Sequence, residues 1–535
     1  MPSLRRLYAQ LPILVIPICI GVWIFVPQGI LGHPMGDMAD HFWGNRWFAQ
    51  ELSQFRLPIY TQNTHFPEGG YLWHIDPIGG LLQFLTVWLS PHAAWHFGIF
   101  VQLSAMGTMM ALYANSKLKD LPISVGLGLA LVFSAHVLGL LHSGLSEYLG
   151  IAWLIALLWS LDSAKTNRTG ILLGICFWQA APYGLLGALL TILKRWRSPK
   201  QLLPIALISG VVAGPAIIAI QWTASHPDAA FQLSEAAGWN PQTLPSIDLL
   251  GWFMPGNWLH PNTPELGNPG ILQPHSLSLT VLGLLIVGLI RQSSKNKDLV
   301  QYWPIVVLML GPRLSINRWM PLDGTFYLPM AVLYLPGLPT NAFHHPYHMT
   351  AIILPIALIV AGRTLIGFSR GIQMMVFGVY LFESSISPAG LFPERTPVPQ
   401  PIVTNGPVID WPPDRHVPNR MYLLAHSYHG QATYSGVSQW LSPCLLTSYE
   451  IESALNALDD PAYRTINRDQ HTPLKRPQPT HSWQTCGFTQ LVVHKEYLSG
   501  NELTKIRQYL NSELGLPMQE NAQVIHYQMP NMTVE

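Results

Sequence analysis

Apolar residues in this chain come in long runs separated by short polar stretches. That pattern predicts helices buried on every side rather than amphipathic surface helices. The runs are 7–26, 94–114, 121–141, 148–161, 170–193, 202–222, 276–290, 300–310, 326–338, 347–368 and 371–382. About 20 apolar residues cross a hydrocarbon core, and shorter runs predict half-helices or interfacial pieces. The run 77–89 is short and bounded by Pro77 and Pro91, so it reads as an amphipathic segment along the outer face, with a true span as the alternative. The run 170–193 carries basic residues at both ends, which predicts a re-entrant helical hairpin turning at 179–183, where Pro182 breaks the helix.

The pattern changes near Ser384. Prolines crowd 388–418, and further on the alternation predicts strands at 488–493 and 522–528 with a helix at 502–514. The expected fold is mainly α, a polytopic membrane protein of about 10–12 hydrophobic segments with a small exoplasmic α/β domain at the C-terminus. Its expected divisions are a transmembrane domain (1–383) with external loops at 27–76 and 223–275, a proline-rich linker (384–420) and an external α/β domain (421–535).

Composition supports this picture. Of 535 residues 49% are hydrophobic and only 11% charged, where soluble domains carry about 25% charged residues. The net charge of +1 gives no reason to expect a nucleic-acid partner. Nineteen Trp and nineteen Tyr suit many membrane interfaces, where amphipathic rings settle. The basic-then-apolar start resembles a secretory signal, but the apolar part continues without a small-residue cleavage site and reads as a retained first span.

Lys and Arg then set the orientation. Arg5 and Arg6 put the N-terminus in the cytoplasm and the loop from Leu31 to Asp76 outside. Lys117, Lys119, Lys165, Arg168, Lys194 to Lys200, Arg291, Lys295, Lys297 and Arg370 fall on the cytoplasmic side, which leaves the C-terminal region outside, facing that loop. Arg313 and Arg318 break the rule by lying outside, where guanidinium groups suit a two-pronged grip on a lipid phosphate. Pairing with a loop carboxylate such as Asp323 is the plainer alternative. Cys19 and Cys176 lie in apolar runs, whereas Cys444 and Cys486 lie in the polar C-terminal part and could form a disulfide there if it is exported.

The first loop gathers Asp37, Asp40, Glu51, Glu68 and Asp76 against only Arg46 and Arg56, with His33, His41, His65 and His74. Asp37 precedes a stretch whose Phe42, Trp43, Trp47, Phe48, Leu52 and Phe55 predict the aromatic face of an interfacial helix. Asp37 is then that helix's N-cap, which needs no further purpose. The functional reading makes Asp37 a general base that takes the proton from an attacking hydroxyl. Asp40, one turn on, would bind substrate or share a divalent cation with Asp37; Glu68 and Asp76 flank a glycine pair that allows a tight turn. His344, His345 and His348 form a second cluster, more suited to interfacial hydrogen bonds than to metal, since no H-E-x-x-H pattern exists. No acidic residue sits in mid-span, which weighs against an ion-coupled carrier.

Five short motifs follow one another in order: GDMADHFW (36–43), FPEG (66–69), GLSE (144–147), APYG (181–184) and LGPRL (310–314). In this order the chain resembles the GT-C superfamily of membrane glycosyltransferases, and more narrowly a bacterial branch with these elements over the first two-thirds of the sequence. The resemblance implies inverting transfer of a sugar, hexosyl or pentosyl, from a polyprenyl-phosphate donor to an acceptor glycan, lipid or protein. It implies that the transfer takes place on the exoplasmic face of a bacterial inner (plasma) membrane, in cell-envelope synthesis. It implies Asp37 as base, Asp40 and Glu68 in substrate binding, and Arg313, Arg318 and His345 near the lipid phosphate, with no certain cofactor beyond a divalent cation. One departure stands out: His344, His345 and His348 surround Pro346 where arginines are expected, and histidine carries only partial charge at neutral pH. The rival reading is a non-catalytic membrane scaffold of GT-C-like fold whose external domain binds an envelope or protein partner. A lipid-linked-sugar flippase and a zinc hydrolase are weaker alternatives.

Overall fold

The computed structural model describes residues 2–34, 36–64, 69–163, 165–226, 277–291, 302–310, 328, 346–399, 405–411, 416–429, 431 and 486–529. In chain order these form α1 (Pro2–Phe25), β1 (Ile30–Leu31), α2 (Met38–Ser53), β2 (Tyr60–Thr61), β3 (Gly70–Tyr71), α3 (Pro77–Phe84) and α4 (Pro91–Leu118). Then come α5 (Leu121–Val132), α6 (Ala135–Ser143), a 3-10 turn (Ser146–Leu149), α7 (Ile151–Asp162), α8 (Thr166–Gln179), α9 (Ala181–Arg195) and α10 (Pro199–Ser225). Helices α11 (Leu279–Arg291), α12 (Trp303–Met309), α13 (Thr350–Leu365) and α14 (Arg370–Ser385) complete the helical part. The C-terminal part holds β4 (Arg395–Thr396), β5 (Val408–Trp411), α15 (His416–His429), β6 (Gln490–His494), α16 (Gly500–Leu514), β7 (Gln519–Glu520) and β8 (Val524–Gln528).

The fold is mainly helical with a small sheet domain at the C-terminus, as the apolar pattern predicts. Three helical segments among the described residues are long and apolar enough to cross a membrane: Pro91–Leu118, Leu121–Ser143 and Pro199–Thr223. Pro12–Phe25, Leu279–Gly288 and Thr350–Leu365 are shorter apolar helices. With so few charges along the chain, these make it an integral membrane protein.

Small residues let the helices close up. A Cβ at Gly107 of α4 would stand 2.8 Å from Ile16 of α1 and 3.0 Å from Val132 of α5, so three helices meet there. Gly170 and Gly174, four residues apart on α8, lie against Ile208 and Val212 of α10. The run 121–141 is two helices, not one, because the Ser134 hydroxyl accepts from Val137 N at 3.2 Å and starts α6 afresh. The hairpin expected in 170–193 is present: Ala180 is extended, Pro182 opens α9, and Gly184 packs on Phe177 while Gly187 packs on Leu173. Of the run 77–89 only the eight residues of α3 are helical, about 12 Å of helix against a core of about 30 Å, so it cannot span. The run 326–338 lies outside the described residues apart from Leu328.

The C-terminal sheet has the order β5-β6-β8-β7, parallel between β5 and β6 and antiparallel elsewhere. Strands β6 and β8 and helix α16 fall where alternation places them, and α16 opens on a capping box between Ser499 and Glu502. Strand β5 and the start of α15 lie in the stretch expected as linker, 384–420. Cys486 is disulfide-bonded; Cys444 lies outside the described residues, and Cys19 and Cys176 carry free thiols.

Strand β4 and helix α15 both tie this region to the first loop. Strand β4 pairs with β1, and the Arg395 guanidinium donates to the carbonyls of Ile24 (2.8 Å) and Pro27 (3.0 Å), the unsatisfied end of α1. Helix α15 serves three cores at once: Tyr422 joins the sheet domain, Leu424 the transmembrane core, and Leu423 a cluster with Trp43, Trp47 and Leu72. Leu423 is fully buried, so Leu423→Ala should destabilise the docked state by about 2–5 kcal/mol. Limited proteolysis of the purified protein reads this as faster release of the C-terminal region, and an unchanged cleavage rate contradicts the docking.

Candidate functional site

The site is built where the start of α2 meets the segment joining α6 to α7. The Asp37 backbone N–H donates to the Ser143 carbonyl at 2.8 Å, and the His33 N–H to the His142 carbonyl at 2.7 Å. Gly144 makes this approach feasible. Its φ is +76°, and a Cβ there would lie 2.5 Å from Met38 N, so only glycine lets the two backbones touch. Ser146 and Glu147 of the same GLSE element then reach into the loop. The Ser146 hydroxyl donates to Asp76 Oδ2 at 2.5 Å, and Glu147 Oε2 lies 3.2 Å from His41 Nδ1.

The carboxylates take different roles here. Asp76 is completely buried and caps α3: Oδ1 accepts from Gly79 N at 2.8 Å, and Oδ2 accepts from Ser146 and, at 3.3 Å, from Asn45 Nδ2. The Asn45 carbonyl in turn accepts from His74 Nε2 at 2.9 Å. Burial holds the His74 imidazole well below its ordinary pKa. Glu51, itself buried, is held by a bidentate, exposed Arg56 at 2.6 and 2.9 Å at the far end of α2. Asp37 occupies the N-cap position of α2, yet its side chain makes no capping hydrogen bond. The side-chain cap of α2 expected of Asp37 is therefore not formed, and Asp37 is half-buried. Asp40 stands three residues on, half-buried on the same side of α2.

Glu147 is the electrostatic centre of this arrangement. Burial pushes its carboxyl well above the ordinary range, and the charges of Asp76 and Asp37 push it the same way. Asp37 is therefore near enough for its field to act on Glu147. The Glu147 carboxyl faces the His41 imidazole at 3.2 Å. Below pH about 4.5 the unfolded carboxyl is protonated too; above it the folded state holds a proton that the unfolded state has lost, so stability falls as pH rises. Glu147→Gln keeps the hydrogen-bonding shape and removes that titration. Its melting temperature is expected to fall less than that of the wild type between pH 5 and pH 8, roughly the range over which a raised carboxyl titrates. Parallel melting curves for the two proteins would count against a protonated Glu147.

The APYG element supports the same turn from below. Gln179 Nε2 donates to the Glu147 carbonyl at 2.8 Å and to Gln102 Oε1 at 3.1 Å, and the Tyr183 hydroxyl donates to the Tyr148 carbonyl at 2.5 Å. His348 stacks on Tyr148 with ring centroids 3.6 Å apart. Three motifs separated by up to 140 residues in sequence thus meet at one turn.

Other sequence expectations fare differently. Glu68, Arg313, Arg318 and His345 lie outside the described residues, as do His344 and His65. The aromatic face of α2 is not turned to lipid: Phe42, Trp43, Trp47 and Phe48 are buried. Trp43 and Trp47 stack at 5.7 Å, and Phe42 stacks on Tyr428 of α15. The C-terminal region supplies a better apolar partner than a headgroup layer, and only Phe55 of that set is fully exposed. Among the described residues no three His, Cys, Asp or Glu side chains converge as metal ligands. Asp37 and Asp40 supply two oxygen donors of the kind a hard divalent cation prefers. The supporting roles of His41, Asn45, Ser146 and Gln179 have no signature in spacing, because each acts on a residue distant in sequence; the GDMADHFW and GLSE elements and the turn at 179–183 mark where three of them lie but not what they do.

No family model matches the chain, and no curated protein matches it. Among solved structures it is similar to the oligosaccharyltransferase AglB from Archaeoglobus fulgidus in complex with an inhibitory peptide and a dolichol-phosphate, at 13% identity over 92% of this chain and 70% of that one, with a TM-score of 0.41. The apo form of the Archaeoglobus fulgidus enzyme gives 12% identity over 91% and 70%, with a TM-score of 0.38. A form tethered to an acceptor peptide gives 11% over 91% and 69%, also at 0.38. Scores this low carry no assignment of function.

Proposed function

We propose that this chain is an integral-membrane glycosyltransferase that moves a sugar from a polyprenyl-phosphate donor to an acceptor on the exoplasmic face, with Asp37 as general base. The observation that carries the reading is the carboxylate of Asp37, which stands at a helix N-terminus without capping it, over a turn assembled from the GLSE and APYG elements. In the reaction the acceptor hydroxyl loses its proton to Asp37 as its oxygen attacks the anomeric carbon. The bond from that carbon to the phosphate oxygen breaks with inversion, and the polyprenyl phosphate leaves with the electron pair. Asp40 and Glu68 bind acceptor or donor hydroxyls, and Arg313 and Arg318, with His345, take the charge that develops on the leaving phosphate.

A chain with a hydrophobic donor and a polar acceptor needs a polar site at the membrane boundary, and the first loop, set directly against the start of α4, provides one. The test is sugar transfer in proteoliposomes containing polyprenyl-phosphate-linked sugars, followed by mass spectrometry of the products, with wild type and Asp37→Asn compared. Loss of transfer in a folded variant supports the base. Equal transfer by the two proteins overturns it and favours the scaffold reading.

A further inference from the structure

We infer that an anionic phospholipid binds where α9 joins α10, its headgroup phosphate held by Arg197 and Lys200 and its acyl chains lying along the exposed face of α10. Lys200, the second residue of α10, heads a stripe on that helix, since Leu203, Leu207 and Val211 follow it at intervals of three and four residues. All four side chains are exposed, Val211 at 79%. The opposite face is taken up by α8, whose Gly170 and Gly174 lie against Ile208 and Val212. Of the three candidate spans α10 is the least buried, which leaves its outer side to acyl chains. From Leu203 to Val211 the stripe runs about 12 Å, most of the hydrocarbon depth of one leaflet, about 15 Å.

Charge selects the headgroup. From Ser163 to Pro227 the chain carries Lys165, Arg168, Lys194, Arg195, Arg197 and Lys200 and no Asp or Glu. Of the four cations at the joint, two are turned inward. Lys194 reaches Asp162 at 3.3 Å, beside Lys117 at 2.8 Å, and Arg195 donates to the Leu161 carbonyl. Arg197 and Lys200 are exposed, and among the described residues neither forms an ion pair. The Arg197 guanidinium lies over the Trp196 ring, 4.8 Å from its centroid. Trp196, 62% exposed, is the residue type that settles at the membrane boundary. One cation is thus held at headgroup level by a ring, and the other by the first turn of a helix long enough to cross. A guanidinium and an ammonium so placed suit phosphate oxygens, and each basic residue near the surface strengthens the hold on an anionic lipid. A zwitterionic lipid brings its own cation, which offsets that gain. Asp162 ends α7, whose other end adjoins the turn carrying Glu147, so the joint lies away from the candidate site.

Lipid binding at this joint does not depend on the catalytic reading and is measured without activity. The full-length protein in detergent is titrated with phosphatidylglycerol or phosphatidylcholine of matched acyl chains, and native mass spectrometry resolves the lipids bound. The wild type should hold its first phosphatidylglycerol about 30-fold more tightly than phosphatidylcholine, roughly fivefold for each of the two cations. Arg197→Gln/Lys200→Gln should bring that preference to within about twofold of unity, and each single substitution should lose about fivefold. Lys119→Gln/Arg291→Gln removes as much charge from exposed positions at the ends of α4 and α11 and should keep the preference. No preference in the wild type overturns the inference. A preference that survives the loss of both Arg197 and Lys200 overturns it as well. So does one lost equally in the control, because a diffuse field and not this joint is then responsible. All four substituted side chains are exposed, and melting temperatures close to that of the wild type in phosphatidylcholine verify that the variants fold.

Discussion

Asp37→Asn is expected to lower sugar transfer by about 10²–10⁴-fold, the usual contribution of a positioned general base, while leaving the melting temperature close to that of the wild type. Both halves follow from the same geometry. The backbone hydrogen bonds that seat this residue, from Asp37 N to Ser143 O and from His41 N to Asp37 O, do not use its side chain. Asparagine also accepts the N-cap position readily. What it lacks is the ability to take a proton. Removing this negative charge should also ease the upward pressure on Glu147, to which Asp37 contributes. Transfer rates and thermal melts of the two purified proteins, reconstituted alike, check the expectation. A variant with transfer within a few-fold of wild type would sink the mechanism, and one that fails to fold would show that Asp37 is structural.

Gly144→Ala is expected to damage both stability and transfer. Its φ of +76° strains any side chain, at about 1–2 kcal/mol. The added Cβ would also stand 2.5 Å from Met38 N, a backbone atom that cannot swing aside, and overpacking of this kind costs about 1–3 kcal/mol more. The displaced residue adjoins Asp37, so transfer should fall along with stability, since a shift of about 1 Å at a reacting group can cost about 10²-fold. Gly126→Ala, where a Cβ would meet nothing within 4 Å, is the control and should melt like the wild type. If Gly144→Ala matched that control in melting and transfer, the seating of α2 on this turn would be wrong.

Some of this was legible in the sequence for simple reasons. Runs of apolar residues admit few alternatives in a bilayer, because every backbone polar group there must be satisfied within the segment. The break near Pro182 and the strands and helix around 490–528 followed from proline chemistry and alternation, which are local. The division of α5 from α6 did not, since Ser134 reads as one polar residue in an apolar run until its hydroxyl is seen capping Val137.

The sequence by itself determined that this is a membrane protein of many helices with a polar, carboxylate-rich first loop and a small mixed domain at its end. Only the tertiary structure decided which carboxylate does what. Asp76 and Asp37 both precede helices, and local propensity cannot separate them. Asp76 is enclosed by Gly79, Ser146 and Asn45 and caps α3 with its side chain, whereas the Asp37 side chain makes no capping hydrogen bond to α2. The burial of the α2 aromatics against α15 was likewise beyond the sequence. A helical stripe shows that a face will be covered, but a partner nearly 400 residues away supplies the cover, and that depends on how the whole chain closes.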